Sequence, residues 1–447
     1  DILVDATGPF QAYGDAPYRV VEAALALGIH YLDLADGADF VAGIRQFDDA
    51  ARRRGLFILS GVSSFPVLTA AVIRHLTHDV AQLDSVRGGI APSPYAGVGL
   101  NVIRAIASYA GQKVRLTRDG KQAEGRALVE SMRYTIAPPG RVPLREIRFS
   151  LVDVPDLRAI PDLWPGVREV WMGAGPVPAI LHRGLSWLAE LVRLGLAPSL
   201  SPLARLFHFA MNRLRWGEHR GGMFVEIAGR RADGSPVTRA WHLLAEGDDG
   251  PFIPSMAAEA LIRKFQAGQA PPSGARAATT DLELADYRAL FARRTIHEGV
   301  REAAIDDAHP MLYRRVLGEA WGRLPQRLCE MHEVTAHRRA AGRADIRRGT
   351  SLASRIVAAL FGFPQAAEDV PVEVDFAVKD GAETWRRNFA GRGFSSIQRA
   401  GQGAFRHMIA ERFGPLEFGL ALNFDGERLH LVLRGWTFLG VPLPLAW

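Results

Sequence analysis

The stretch Asp1-Ile-Leu-Val-Asp-Ala-Thr-Gly-Pro-Phe10 decides the fold class. Its apolar residues 2–4 end at Asp5, and Ala6-Thr7-Gly8 follow before an amphipathic helix over about residues 17–27. This order predicts a buried parallel strand that enters a helix through a tight loop. Ligands of open α/β sheets lie beyond the carboxyl ends of the strands. Gly8 allows the backbone to approach such a ligand closely, so this loop is the first candidate binding site.

A buried parallel strand needs neighbours on both sides, and this sequence has no initiator methionine. Both features predict a fragment whose upstream part carried the first βαβ units and any G-x-G-x-x-G phosphate loop. No such loop opens a strand–helix unit in these 447 residues. Because that loop supplies pyrophosphate affinity, we expect these residues alone to bind a dinucleotide poorly.

The composition is that of an ordinary globular protein, with 48% hydrophobic and 23% charged residues. The net charge is +6, but arginine supplies 50 of the 54 basic residues and is spread along the whole chain. No basic block is interleaved with aromatic residues, which argues against nucleic acid as a partner. Cys329 is the single cysteine; no internal disulfide can form, and a cytoplasmic, reducing compartment fits.

Alternating strand and helix patterns continue to about residue 84, with strands expected near 30–35 and 56–60 and helices near 38–54 and 66–76. The alternation predicts a truncated Rossmann-like parallel sheet. From about residue 85 the pattern changes to strands, hairpins and helices, which predicts an α+β second domain over 85–305. The alternative for its end is a return to the Rossmann-like domain. Residues 270–278 form a crossing rich in Pro, Gly and Ala.

Residues 306–447 are predicted to form a mainly antiparallel β domain. Two period-2 apolar patterns are each broken by Asp-Gly, at Asp380-Gly381 and at Asp425-Gly426, and this combination is typical of β-hairpins. Helices are expected at 351–360 and 405–411.

Residues 179–216 predict two amphipathic helices that combine arginine with aromatic side chains, among them Trp187, Phe209 and Trp216. Such helices lie on membrane surfaces, or they pack against the protein's own sheet or a partner in a homodimer. We expect packing on protein, with leucines such as Leu188, Leu196 and Leu206 on the buried faces.

The first part of the chain resembles the saccharopine dehydrogenase-like oxidoreductases of the saccharopine reductase type. The resemblance covers about residues 1–305 and rests on D-A-T-G-P-F-Q-A-Y-G, on V-V-E-A-A-L-A-L-G-I-H-Y-L-D-L-A-D, on S-G-V-S-S-F-P, and on the later Trp241-His-Leu-Leu-Ala245 and Gly250-Pro-Phe-Ile-Pro254. The final third resembles the bacterial DUF4166 type of domain. The residues that carry this second resemblance are Glu383-Thr-Trp385, Arg387-Asn-Phe389, Phe413-Gly-Pro415 and Gly440-Val-Pro-Leu-Pro444.

The first resemblance implies a nicotinamide nucleotide, NADP or NAD, across the strand ends. The residues expected to contact it are Ala6, Thr7, Gly8, Pro9, Phe10, Tyr13 and Gly61. For Thr7 the alternative is a tight strand–helix turn, and for Tyr13 it is packing at the helix entry.

The candidate catalytic residues are Tyr31 and Asp33, because a carboxylate beside a phenol can relay a proton to a carbonyl or imine. The alternative for Asp33 and for Asp36 is that they cap the next helix; for Asp36 we favour the cap. Cys329, His332 and His337 have a spacing that hints at a metal, but without a fourth ligand we predict no metal site.

The expected function is NAD(P)-dependent hydride transfer at a C–N or C–O bond of a small metabolite or a lipid-like carbonyl. The alternative is a non-catalytic protein that binds a nucleotide or an apolar ligand, in the cytoplasm or on a membrane surface.

Overall fold

The computed structural model describes residues 1–97, 99–175, 179–213, 217–303 and 309–443. The chain divides into two compact units. Unit 1 contains Asp1–Ile136 and Leu144–Val300, and unit 2 contains Ala137–Pro143 and Arg301–Trp447. The division of the sequence into three domains stays a prediction.

The strands of unit 1 are β1 (Ile2–Asp5), β2 (His30–Asp33), β3 (Phe57–Ser60), β4 (Gln82–Ala91), β5 (Lys113–Arg118), β6 (Lys121–Arg126), β7 (Ser131–Ile136), β8 (Leu144–Leu151), β9 (Glu169–Ala174), β10 (Gly221–Arg230), β11 (Pro236–Ala245), β12 (Gly274–Ala277) and β13 (Ile296–Glu302). Its helices are α1 (Arg19–Leu27), α2 (Ala38–Gly43), α3 (Asp48–Arg53), α4 (Thr69–Leu76), α5 (Leu100–Tyr109), α6 (Asp156–Leu163), α7 (Ala179–Arg193), α8 (Ala204–Arg213), α9 (Ile253–Gln266) and α10 (Leu284–Phe291).

The first sheet of unit 1 is parallel and has the strand order β1-β2-β3-β12. The predicted α/β pattern is confirmed, and part of the Pro/Gly/Ala-rich stretch forms β12 beside β3. The first strand, β1, lies at one edge of this sheet. Among the described residues β1 pairs only with β2, and Val4 in β1 is 41% exposed.

The helix expected over residues 38–54 is interrupted. A 3-10 turn at Ile44–Phe47 separates α2 from α3. The carbonyl of Phe40, which would accept from Ile44 in a continuous helix, instead accepts the hydroxyl of Tyr18 at 2.9 Å. A side chain at Gly43 would collide with that hydroxyl. A tertiary hydrogen bond therefore replaces a helical one.

The second sheet of unit 1 has the order β13-β11-β10-β4-β9-β5-β6, and β8 joins β7 to β9. β4 and β9 are parallel, whereas β4 and β10 and the hairpins β5–β6 and β10–β11 are antiparallel. This mixed sheet with its helices confirms the predicted α+β character. Trp241, Val225 and Met172 are fully buried in a core that also includes α4 and α9.

Unit 2 contains α11 (Leu312–Leu317), α12 (Gln326–His332), β14 (His337–Ile346), α13 (Leu352–Leu360), β15 (Ala367–Lys379), β16 (Ala382–Phe389), β17 (Arg392–Ala400), β18 (Ile409–Phe413), β19 (Leu416–Phe424), β20 (Leu429–Phe438) and β21 (Val441–Leu443). The strands form an antiparallel meander in chain order. Both predicted hairpins are confirmed. Asp380 and Gly381 have φ values of 51° and 74°, the left-handed pair that a tight two-residue hairpin turn requires.

One predicted helix of unit 2 is wrong. Residues 405–411 contain the end of a 3-10 turn, Gly403–Phe405, and the start of β18. Glu411 in β18 accepts hydrogen bonds from Arg387 of β16 and from Ser396 and Gln398 of β17. These contacts hold it in the sheet. Such non-local partners leave no local pattern in the sequence. The helix expected at 351–360 is confirmed as α13.

The two helices expected over 179–216 are α7 and α8, and Trp216 lies outside the described residues. Leu188 is half-buried and Val192 is buried, as expected for packing on the protein. Leu196 and Leu206, which were expected on the same buried faces, are exposed. Within the described ranges, no helix is long and apolar enough to cross a bilayer.

Candidate functional site

The loop after β1 is organised by Asp5, whose side chain is buried. Asp5 Oδ1 accepts the backbone N–H of Thr7 at 3.0 Å and the Thr7 hydroxyl at 2.7 Å. Asp5 Oδ2 accepts the hydroxyl of Tyr31 at 3.1 Å. The Thr7 hydroxyl also hydrogen-bonds that of Tyr13. The Thr7 hydroxyl is therefore already engaged on both sides within the loop.

Asp33 organises the loops after β2 and β3 in the same way. It is fully buried, and its Oδ1 accepts Ala35 N–H at 3.0 Å, Ser60 Oγ–H at 3.0 Å and Gly61 N–H at 2.7 Å. Its Oδ2 has no hydrogen-bond partner among the described residues. Burial raises the pKa of Asp33 to about 6, although the three donors oppose that shift.

A cavity of about 630 Å³ opens at these strand ends in unit 1. The predicted cofactor residues Ala6, Thr7, Gly8, Pro9 and Phe10 all line it. Tyr13 and Gly61, which were also predicted to contact the cofactor, do not line it. Tyr13 contacts the loop through Thr7, and Gly61 contacts Asp33.

Three helices supply much of the apolar wall of this cavity. The contributing side chains include Ile103 and Ile106 of α5, Leu185 and Leu188 of α7, and Phe207 and Met211 of α8. Asn101 at the start of α5 donates from Nδ2 to the carbonyl of Gly8 at 3.0 Å, which fixes α5 to the strand-end loop. A cavity of this volume and lining suits a ligand with a sizeable apolar part.

Asp36 and Tyr109 are polar groups in this largely apolar wall. The predicted role of Asp36 as a helix cap is wrong, because α2 is capped by Gly37 and no side chain bonds its first N–H groups. Asp36 instead accepts Gln11 Nε2 at 2.9 Å. Burial raises the pKa of Asp36, and burial together with the charge of Asp36 raises the pKa of Tyr109. No periodicity or spacing in the sequence joins these two residues.

His182 of α7 is a second polar residue of the cavity that sequence reasoning missed. It is buried, and its Nε2 lies 2.8 Å from Oγ of the buried Ser150. Its Nδ1 makes no hydrogen bond with the described part of the chain. Burial and the nearby Arg148 guanidinium lower the pKa of His182 to about 4, so the ring is neutral near pH 7.

The predicted catalytic residues Tyr31 and Asp33 are brought close to each other through Asp5, but both are fully buried and neither lines the cavity. The register of β1 and β2 pairs Asp5 with Asp33, which places the two carboxylates side by side. Their contacts hold the strand-end loops in place. A catalytic role for Tyr31 and Asp33 stays a prediction.

Cys329, His332 and His337 do not gather into a site. His332 is buried and stacks on Tyr313 with ring centroids 3.8 Å apart, whereas His337 lies in β14 near Asp375. Cys329 faces the carbonyls of Trp321 and Leu324. Across the described ranges, no three His, Cys, Asp or Glu side chains form a group that could hold a metal ion.

One family model matches a part of the chain. Residues 324–447 match the family model described as Domain of unknown function (DUF4166), which confirms the resemblance seen in the sequence. No curated protein matches the chain.

Several solved structures are similar to the chain. Apo saccharopine dehydrogenase (L-Glu forming) from Saccharomyces cerevisiae is 13% identical over 68% of this chain and 84% of that chain, with a TM-score of 0.46. A mutant meso-dapdh with DAP from Clostridium tetani is 12% identical over 64% of this chain and 77% of that chain, with a TM-score of 0.29. GenD2 from gentamicin A biosynthesis, in complex with NAD, is 12% identical over 53% of each chain, with a TM-score of 0.23. All three TM-scores are below 0.5.

Proposed function

We propose that the protein is an NAD(P)-dependent oxidoreductase that acts on a C–O or C–N bond of an apolar, lipid-like substrate. The observation that carries this proposal is the cavity of about 630 Å³ in unit 1. One of its walls is the strand-end loop Ala6–Phe10. In open parallel sheets a dinucleotide binds at loops in this position. The other walls of the cavity are apolar helices. A cofactor ring and an apolar substrate would therefore meet in one space.

The residues of the loop fit the nicotinamide end of such a cofactor. Gly8 has no side chain, and a Cβ there would fill part of the space in front of the Phe10 ring, 3.6 Å away. Thr7 and Gly8 are held rigidly by Asp5 and Asn101, so the wall is preorganised. A bound nicotinamide would supply or accept the hydride. The choice between NADP and NAD stays open.

The proton of the reaction is assigned to Asp36. Burial raises the pKa of Asp36, and in its protonated form this carboxyl group can donate a proton to a developing alkoxide or amide anion. Tyr109, whose hydroxyl stays protonated, donates a hydrogen bond to the same oxygen or nitrogen. His182, which also lines the cavity, contacts the substrate. In this proposal Tyr31 and Asp33 are positioning residues, because they hold the loops without reaching the cavity.

The test uses the full-length protein. NADPH and NADH are titrated by calorimetry, and NAD(P)H absorbance is then followed with medium- and long-chain aldehydes, ketones and imines. We expect one cofactor to bind and the apolar carbonyl or imine substrates to be turned over. If neither cofactor binds, the proposal is wrong.

A second candidate function is binding of an apolar ligand without catalysis. The burial of Tyr31 and Asp33 outside the cavity favours it, because the two predicted catalytic residues cannot touch a ligand there. Displacement of a fluorescent fatty-acid probe, without turnover of any member of the carbonyl panel, would support this alternative. Substrate-dependent oxidation of NAD(P)H would exclude it.

A further inference from the structure

α7 and α8 each have an inner face that lines the cavity and an outer face that is exposed to solvent. Their inner faces wall the cavity through Leu185, Leu188, Phe207 and Met211. Their outer faces carry large apolar side chains that stay in solvent. Trp187 is 65% exposed on α7, and Leu206 and Phe209 are 59% and 65% exposed on α8. Isolated exposed apolar residues are ordinary, but a row of them at helical spacing marks an interaction surface.

The segment that contains α7 and α8 carries a net positive charge. Residues 179–213 contain four arginines and a single acidic residue, Glu190, which is paired with Arg193. The remaining arginines, Arg183, Arg205 and Arg213, form no ion pair within the described chain. Arg183 stands one turn from Trp187, and Arg205 and Arg213 stand one turn on either side of Phe209. Cationic and aromatic side chains therefore alternate along the outer faces.

We infer that the outer faces of α7 and α8 bind an anionic lipid bilayer and that an apolar substrate enters the cavity from it. Aromatic and leucine side chains buried at the headgroup boundary, with arginines on lipid phosphates, are the two contributions that hold an amphipathic helix on a membrane. The entry of substrate rests on the proposed function, whereas the binding of lipid does not. In this inference both helices lie along the bilayer surface with their outer faces against it.

The same two helices touch the lipid on one side and the cavity on the other. A chain leaving the bilayer would have to pass only between or around α7 and α8 to reach Leu185 and Phe207. Transfer through water, which costs free energy for every exposed methylene, is avoided. This arrangement explains why one pair of helices is apolar on both faces.

The experiment is co-sedimentation of the full-length protein with vesicles of phosphatidylcholine alone or mixed with phosphatidylglycerol. We expect strong binding to the anionic vesicles, weakened by salt. Trp187→Ser with Phe209→Ser should weaken that binding roughly tenfold or more. Arg183→Gln with Arg205→Gln and Arg213→Gln should weaken it roughly a hundredfold, with little effect on neutral vesicles.

The matched control is Ile356→Ser in α13 of unit 2. Ile356 is 57% exposed on another apolar helix, so it tests whether any exposed apolar side chain suffices. We expect this variant to bind vesicles as the wild type does. Absence of wild-type binding, or an unchanged Trp187/Phe209 variant, would overturn the inference. The inference would also be overturned if the Trp187/Phe209 variant converted a dimer to a monomer and still bound vesicles. The outer faces of α7 and α8 would then be an interface between two copies of the chain. None of these readouts needs turnover or cofactor, so they stay separate from the test of the proposed function.

Discussion

Asp33 in unit 1 and Glu411 in unit 2 are buried carboxylates that each present one oxygen to three donors. Asp33 Oδ1 accepts two backbone N–H groups and a serine hydroxyl. Glu411 Oε1 accepts Arg387 Nη2 at 2.8 Å, Ser396 Oγ at 2.6 Å and Gln398 Nε2 at 2.9 Å. Only the second of these two carboxylates has a cation among its donors.

The difference shows what each network is for. Glu411 is neutralised by Arg387, whose guanidinium also lies over the Trp385 ring at 4.7 Å, so three strands of the meander are held together. Asp33 is not neutralised, and its donors Ala35, Ser60 and Gly61 lie at the ends of β2 and β3. The network of unit 2 stabilises a sheet, whereas that of unit 1 fixes strand-end loops and responds to pH.

The largest expected effect comes from breaking the neutralised network. Arg387→Ala should cost about 3–5 kcal/mol of unfolding free energy, because it leaves Glu411 buried and unpaired. The measurement is hydrogen exchange of amides in β16, β17 and β18, which reports on unit 2 by itself. Arg399→Ala is the matched control: its pair with Glu417 is solvent-exposed on the arginine side and should contribute only about 0–1 kcal/mol. Equal losses in the two variants would contradict the comparison.

The contribution of the Asp33 network to the stability of the folded protein should depend on pH. The pKa of Asp33 is about 6 in the folded state and about 3.9 in the unfolded chain, so the folded protein holds this proton more tightly. Its contribution to stability is therefore fully present below about pH 4 and is lost as pH rises to about 6, a change of about 3 kcal/mol.

Asp33→Asn tests this sign. The variant keeps an acceptor oxygen for Gly61 but cannot lose a proton, so its stability relative to the wild type should rise between pH 4 and pH 6 and then stay level. Urea unfolding at several pH values measures the difference. A difference that is constant with pH would show that Asp33 is already ionised in the folded protein.

Asp36→Asn tests whether the carboxyl group in the cavity donates the proton of the reaction. If Asp36 is the proton donor, kcat should fall at least about a hundredfold while cofactor affinity is unchanged. Asp39→Asn is the control, because Asp39 is only a few residues away and is exposed. A loss of similar size in both variants would assign the effect to the loop and not to the proton.

Local patterns were enough to predict the parallel strands, the Asp-Gly hairpins and the loop Ala6–Phe10. They were not enough where a distant partner decides the structure. β18 was predicted as a helix because Arg387, its partner through Glu411, is 24 residues away. Asp36 looked like a cap, because its nearness to Tyr109 depends on how α5 packs. His182 and Ser150 are 32 residues apart and share no motif.

The most direct measurement of the central claim is kcat/KM for a series of straight-chain aldehydes of increasing length. If the apolar cavity holds the substrate, each added methylene should raise kcat/KM about fourfold until the cavity is filled, from about 0.8 kcal/mol per buried methylene. Ala210→Trp, which fills the cavity from α8, should abolish this dependence, whereas Leu206→Trp on the outer face of α8 should keep it. A dependence that is flat in the wild type, or equally steep in Ala210→Trp, would contradict the account.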